Sequence, residues 1–115
     1  MSRRRRGNAD ELVTIYWRDI PAQVTATKNG EKGSWLLDER FQVAIDRAAS
    51  VAGLTDDDDY VREWRRATQP CSGPAQASAE AEAHRLMTDY PADRLRALIE
   101  RGGLEAAALS EQDSA

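Results

Sequence analysis

The sequence contains one cysteine, one histidine and no long apolar run, and each of these scarcities excludes a class of protein. With Cys71 alone, the chain can form neither an internal disulfide nor a zinc site built from its own cysteines. No segment approaches the roughly 20 apolar residues that span a bilayer, and polar residues follow the N-terminal arginines where a signal peptide would be apolar. We therefore expect a cytoplasmic protein with no membrane contact, no metal and no cofactor.

An excess of positive charge is also missing, because the net charge is −4 and the acidic residues are concentrated in the C-terminal half. Residues 1–53 carry nine basic and seven acidic side chains, whereas residues 54–115 carry seven and thirteen. Proteins that bind nucleic acid need a basic face that displaces counterions from phosphates. We therefore expect no nucleic-acid partner, and we interpret the arginine run at residues 3–6 as part of a solvated arm.

Large apolar side chains are scarce as well, since aromatic residues make up only 6% of the chain. A chain of 115 residues has the size of one domain. We predict a disordered basic arm over residues 1–9, a single α+β domain over residues 10–103 and a flexible tail over residues 104–115. The thin core predicts either a monomer of limited stability or a partner surface that completes the core, for example in a homodimer formed through a strand edge.

What the sequence does contain begins with residues 12–17, where β-branched and aromatic residues are concentrated. This pattern predicts a strand, and apolar residues on both of its faces indicate either a central position in a sheet or a strand sandwiched between helices and a partner. Ile20 and Pro21 are expected to end the strand, because proline cannot donate a hydrogen bond to a neighbouring strand.

A hairpin is predicted next. Residues 23–28 favour a second strand, and Asn29-Gly30 is a pair typical of a tight turn because both residues tolerate positive φ. Residues 32–37 would form the returning third strand, with Gly33 as a weak point or bulge. The sheet is therefore expected to be antiparallel, with two or three strands.

Three or four helices are expected to cover this sheet. Asp38 is a suitable N-cap for the first, and Gly53 is placed to end it. The third is predicted over residues 75–90, after a loop at residues 69–74. The fourth begins at Pro91 and ends at Gly102-Gly103.

The second of these helices is predicted to start after Thr55. Aspartates 56–59 would complement its positive N-terminal end. Three arginines would occupy its C-terminal end and three larger side chains its buried side. The arginines are Arg62, Arg65 and Arg66, and the buried side chains are Tyr60, Val61 and Trp64.

Three features that resemble chemical sites have simpler interpretations. Aspartates 56–59 lack the glycine and the distal glutamate of a calcium-binding loop. His84 lies one helical turn from Glu80 and Thr88, which is a weak ligand set for a metal. Cys71 lies in a proline-flanked loop with no evident activating base. The sequence therefore offers no catalytic residue and no metal site.

The most distinctive segment runs from Tyr16 to Asp19, where two large aromatic residues precede an Arg/Asp pair at the end of a strand. One interpretation is core packing by Trp17 beside a surface ion pair. The other is a recognition edge, because Trp, Tyr and Arg dominate the energetics of protein interfaces. Trp64 and Arg65 add similar side chains. The candidate binding residues are therefore Tyr16, Trp17, Arg18, Asp19, Trp64 and Arg65.

Three segments also resemble a known family. They are YWRDIPAQV at residues 16–24, ERFQVAIDRAA at residues 39–49 and YVREWR at residues 60–65. Together they resemble small, uncharacterised bacterial proteins that contain a "virulence factor" domain, over approximately residues 11–68. This resemblance implies no catalytic activity. It does imply an accessory role, because genes of this kind are often found beside folate- and corrinoid-dependent one-carbon enzymes.

Two functions follow as hypotheses. The first is a non-catalytic accessory or protein-interaction module, whose partner would be a protein such as a one-carbon or methyl-transfer enzyme. The alternative is a small enzyme or binding protein for an anionic metabolite. In that case Arg18 and Arg65 would clamp the anion and Asp19 would act as acid or base.

Overall fold

A computed structural model describes residues 10–105, which form one antiparallel sheet and four helices. The predicted α+β class is confirmed. The arm at residues 1–9 and the tail from residue 106 lie outside the described residues. The elements are β1 (Glu11–Trp17), β2 (Ile20–Lys28), β3 (Glu31–Leu36), α1 (Glu39–Ala52), α2 (Asp57–Arg62), β4 (Trp64–Pro70), α3 (Ala75–Asp89) and α4 (Ala92–Glu100).

The four strands lie in the order β3-β2-β1-β4, so β1 is an inner strand with neighbours on both sides. The central position predicted for residues 12–17 is therefore confirmed. β2 and β3 are joined by Asn29 and Gly30, both with positive φ, as the turn prediction required.

The fourth strand corrects the prediction for residues 63–70. The helix expected after Thr55 consists only of α2, and Trp64–Pro70 instead pairs antiparallel with β1. The loop predicted at residues 69–74 therefore loses its first two residues to this strand. Arg65 and Arg66 thus lie on a strand rather than at a helix end, and Val61 is exposed rather than buried. The strand is difficult to recognise because it lies at an edge, where its side chains are mostly exposed and show no apolar alternation.

A second correction concerns Ile20 and Pro21, which begin β2 instead of ending β1. Trp17 pairs with Ile20, so the connection between the two strands is a tight turn of only Arg18 and Asp19. Proline is tolerated here because Pro21 precedes Gln23, the first residue of β2 that pairs with β3. Its missing N–H therefore costs no hydrogen bond to that strand.

One face of the sheet packs against α3, which lies across β2 and β3. Gly33 makes this close approach possible, because a Cβ there would lie 2.5 Å from the Cα of Gln76. Gly33 pairs in regular register with Ala26. The bulge predicted at this glycine is therefore wrong, and its function is to let a helix approach the strand backbone.

α1 and α4 pack against each other near the β1–β2 turn and bury Trp17, Ile20 and Phe41 in the core. Gly53 ends α1 in a left-handed conformation, as predicted. Asp38 precedes α1, but its side chain makes no cap hydrogen bond. Within residues 10–105, none of the helices is long and apolar enough to cross a membrane.

Candidate functional site

The β1–β4 pairing collects the aromatic candidates at one end of the sheet. Trp17 lies directly opposite Trp64. Tyr60 of α2 stacks on Trp17 with ring centroids 5.6 Å apart, and it meets Trp64 edge-on at 5.9 Å. The indole Nε1 of Trp17 donates to the Tyr60 carbonyl oxygen at 2.9 Å. Trp17 is fully buried and is therefore a core residue that anchors α2.

Arg18 adopts a left-handed backbone conformation in the turn, with φ of 54°. Its Nε donates to Glu63 Oε1 at 2.9 Å, and its Nη1 donates to the Gly102 carbonyl oxygen at 3.1 Å. Its backbone N–H donates to the Glu63 carbonyl oxygen at 3.0 Å. Arg18 thus ties the turn to the start of β4 and to the end of α4.

Asp19 makes a second set of bonds from the same turn. Its Oδ1 accepts from Arg65 Nη2 at 3.1 Å, and its Oδ2 accepts from the backbone N–H of Glu105 at 2.8 Å. The Asp19 N–H donates to the Gly103 carbonyl oxygen at 2.9 Å. Both carboxylate oxygens are therefore used to hold other parts of the chain.

Arg65 lies on β4 opposite Tyr16, and its guanidinium carbon is 4.3 Å from the Tyr16 ring centroid. Its Nε donates to the Arg18 carbonyl oxygen at 2.8 Å. Burial raises the pKa of the Tyr16 phenol, while the positive charge of Arg65 acts in the opposite direction. About half of the Arg65 side chain is exposed.

The structure thus brings all six candidate residues together, but it gives most of their polar atoms intramolecular partners. Glu63, Gly102 and Gly103 complete this network and are not among the site residues predicted from the sequence, which assigns the two glycines only to the end of a helix. The double glycine offered a signal, because a Cβ on Gly103 would lie 3.0 Å from the Trp17 ring. We refer to Arg18, Asp19, Glu63, Arg65 and their glycine partners as the turn network.

One backbone hydrogen bond of the turn also shows which backbone groups of β4 face outward. The Arg18 N–H bonds to Glu63 O, and in an antiparallel pair the residues directed toward the partner strand alternate. Arg65, Ala67 and Gln69 therefore direct their backbone groups toward β1. Trp64, Arg66 and Thr68 direct theirs away from the sheet. Pro70, which has no N–H, occupies the next outward position, where its absence costs no bond to β1.

The two edges of the sheet differ. On β3, the Gln76 side chain bonds to both backbone groups of Ser34, since its Oε1 accepts from Ser34 N–H at 3.3 Å and its Nε2 donates to Ser34 O at 3.0 Å. Among residues 10–105, no side chain or loop makes such bonds to the outward groups of Arg66 and Thr68. We refer to the outward backbone of Trp64, Arg66 and Thr68 as the β4 edge.

The charge on β4 is entirely positive, because the strand carries two arginines and no acidic residue. Arg66 is exposed, and within the described part of the chain it makes no salt bridge. It shares a sheet face with Ile15, its partner on β1, whereas Arg65 shares the opposite face with Tyr16.

Two surface depressions lie away from the turn network. One of about 460 Å³ lies between α1 and α4, and another of about 600 Å³ lies on the face of the sheet that carries Arg66. Arg18, Asp19 and Arg65 line neither of them. His84 is exposed and lies edge-on to Trp35, and buried Cys71 bonds to the Gly73 carbonyl oxygen. Over residues 10–105, no group of three or more His, Cys, Asp or Glu is arranged to hold a metal.

Comparison with known families identifies one family that matches most of the chain. A family model described as "Virulence factor" matches residues 15–99, which include β4 and most of the turn network. The chain belongs to the virulence factor family. The resemblance recognised from residues 16–65 is thereby confirmed, and the match extends it through α3 and into α4. No curated protein and no solved structure matches this chain.

Proposed function

We propose that this member of the virulence factor family is a non-catalytic protein-interaction module that accepts an extended segment of its partner along the β4 edge. The observation that carries the proposal is the difference between the two sheet edges. The edge at β3 has its Ser34 groups bonded by Gln76, whereas the β4 edge presents a row of backbone donors and acceptors. Such a row is the template for β-strand addition.

The six candidate residues contribute to this function in two ways. Trp17, Arg18 and Asp19 position β4, because the turn network fixes where the strand begins. Trp64 and Arg65 lie on β4 itself, and Tyr16 supports Arg65 from the neighbouring strand. In this proposal, the recognition residues are those of β4, and the turn is the support that holds them.

The geometry gives less support to the alternative of an anionic-metabolite enzyme. A clamp formed by Arg18 and Arg65 would need free guanidinium groups that converge on a ligand. Arg18 instead donates to Glu63 and Gly102, and Arg65 donates to Asp19 and to the Arg18 carbonyl oxygen. Asp19 has both oxygens bonded, which leaves it poorly placed to exchange protons with a substrate.

The resemblance to genes found beside one-carbon enzymes supplies the first partners to test, namely folate- and corrinoid-dependent methyl-transfer proteins. A second copy of the chain is the other candidate, because an edge strand can pair with its own copy across a two-fold axis. In both cases, the partner contributes a strand that pairs with β4.

The experiment compares Thr68→Pro with Thr68→Ala in affinity capture from a native lysate. Proline removes an outward N–H and places a bulky ring on the edge, while the bonds from Ala67 and Gln69 to β1 remain available. Alanine removes the Thr68 side chain and keeps the N–H. We expect the proline variant to lose the partner that the wild type and the alanine variant retain.

Circular dichroism of each variant verifies that the fold is intact. Equal capture by a folded Thr68→Pro chain would contradict strand addition at β4. Sedimentation velocity of the wild type and of Thr68→Pro separates the two kinds of partner. A dimer lost on Thr68→Pro identifies the second copy as the occupant, and a monomer throughout identifies a different protein.

A further inference from the structure

We infer that the segment which pairs with β4 belongs to a different protein and carries acidic side chains at two successive positions. This inference rests on the proposed function, because it names the chemistry of the strand that the β4 edge accepts. It is carried by the charge on β4 and by the way a strand alternates its side chains between the two faces of a sheet.

Arg65 and Arg66 are consecutive residues of β4 and therefore lie on opposite faces of the sheet. An incoming strand continues the same pleat, so two successive residues of that strand lie beside these two arginines, one on each face. Carboxylates at both positions would complement both charges. A single acidic residue could complement only one of them.

The two contacts are unequal. Arg66 makes no salt bridge with the described residues, and its exposed guanidinium is available to a partner carboxylate. Arg65 already bonds to Asp19 at 3.1 Å, although about half of its side chain is exposed. A carboxylate beside Arg65 would share the guanidinium with Asp19. Arg66 is therefore expected to contribute more than Arg65 to the preference for an acidic strand.

A second copy of the chain offers poor charge complementarity at this edge. β4 contains no acidic residue, so pairing with another β4 brings four arginines together without any carboxylate from the paired strands. Like charges on neighbouring strands oppose pairing. A different protein with an acidic extended segment provides the missing charge.

The test uses three short capped peptides that alternate valine with a polar residue and end in two successive polar residues. The polar residues are glutamate in the first, glutamine in the second and lysine in the third. Binding to the full chain is measured by NMR chemical-shift changes at low and at physiological salt. We expect the glutamate peptide to bind several-fold more tightly than the glutamine peptide at low salt, and the lysine peptide to bind most weakly.

Arg66→Gln is expected to remove most of the preference for glutamate over glutamine and much of its salt dependence. Arg62→Gln serves as the matched control, because Arg62 is an exposed arginine of α2 outside β4. Shift changes should be centred on residues 64–68.

Equal binding of the glutamate and lysine peptides would overturn the acidic specificity, and so would a preference that persists in Arg66→Gln. If Thr68→Pro still loses the lysate partner in that case, the proposed interaction through the β4 edge stands and only its charge preference falls. If the glutamate preference is absent and Thr68→Pro also retains the lysate partner, both proposals are contradicted. A dimer that depends on Thr68 contradicts the inference of a different partner directly.

Discussion

At the scale of single residues, several residues of this chain have structural functions that the residue type alone does not reveal. Gly33 has an ordinary strand conformation, and its importance comes from the Gln76 backbone that lies above it. Arg18 has the appearance of a surface charge in the sequence, but it donates three hydrogen bonds to distant parts of the chain, at Glu63 and Gly102. In both cases, the decisive neighbour is more than 40 residues away in the sequence.

A substitution at Gly33 tests the close approach of α3 to β3. Gly33→Ala places a methyl group where the α3 backbone lies, so the helix or the strand must move. We expect the free energy of unfolding to fall by about 1–3 kcal/mol, which is typical of overpacking. Urea unfolding measures the change.

Gly30→Asn provides the comparison for Gly33→Ala. Gly30 has positive φ and no atom within 4 Å of a Cβ placed there, and asparagine tolerates this conformation in hairpin turns. This variant carries only the backbone cost of a side chain at positive φ, so it should lose less stability than Gly33→Ala. Equal effects of the two substitutions would contradict the steric function assigned to Gly33.

At the scale of secondary-structure elements, sequence patterns identify those elements that bury a regular face. The helices α1 and α3 carry their apolar residues at the period of a helix, and the strand at residues 12–17 concentrates β-branched and aromatic residues on both faces. For each of the three, the sequence predicts a position close to the observed one. Their patterns are clear because the core requires one type of side chain at each inward position.

β4 could not be predicted in this way, and the candidate site depends on it. The aspartate-rich segment before β4 and the arginines of β4 are typical of a capped helix. The exposed side chains of β4 do not alternate between apolar and polar residues. The six site residues were selected for their chemistry, and their assembly follows from the pairing of β1 with β4. The contacts of Glu63 and Glu105 with the turn depend on long-range geometry that local patterns do not contain.

The alternation of backbone groups along β4 predicts opposite results for two neighbouring prolines. Ala67→Pro removes an N–H that points toward β1, so it should destabilise the fold by about 1–3 kcal/mol or more. Thr68→Pro removes an outward N–H and should change the free energy of unfolding much less. Thermal and urea unfolding of the pair measure the difference, and the reverse order would show that the assigned orientation of β4 is wrong.

At the scale of the whole molecule, the turn network joins segments that are distant in the chain. The turn after β1 holds the start of β4 through Glu63, and it holds the end of α4 through Gly102 and Gly103. A substitution in the turn should therefore destabilise both the start of β4 and the end of α4.

Hydrogen exchange of Arg18→Ala tests this coupling. The Arg18 side chain is only 19% exposed, and its removal leaves Glu63 and the Gly102 carbonyl oxygen without this donor. We expect the free energy of unfolding to fall by about 1–3 kcal/mol. Amides at residues 60–64 and at residues 101–104 should both exchange faster, because both segments lose their hydrogen bonds to the Arg18 side chain.

Arg62→Ala is the appropriate control for this experiment, because Arg62 is 72% exposed and its ion pair with Asp59 lies within α2. It should leave exchange at residues 101–104 unchanged. Faster exchange at only one of the two segments in Arg18→Ala would contradict the coupling. The same argument makes Arg18→Ala a poor tool for mapping a partner, because any lost binding could reflect a disturbed fold.

The bonds between Gln76 and Ser34 have a consequence for how far assembly can extend. A sheet with two available edges is divalent and can add neighbours without limit, as fibrils do, whereas a sheet with one available edge is monovalent. By bonding both backbone groups of Ser34, Gln76 interrupts the centre of the β3 edge, so that among residues 10–105 β4 is the sheet edge with an uninterrupted row of outward groups. Whatever strand joins β4, the resulting complex is therefore expected to have one partner per chain and to stop growing there.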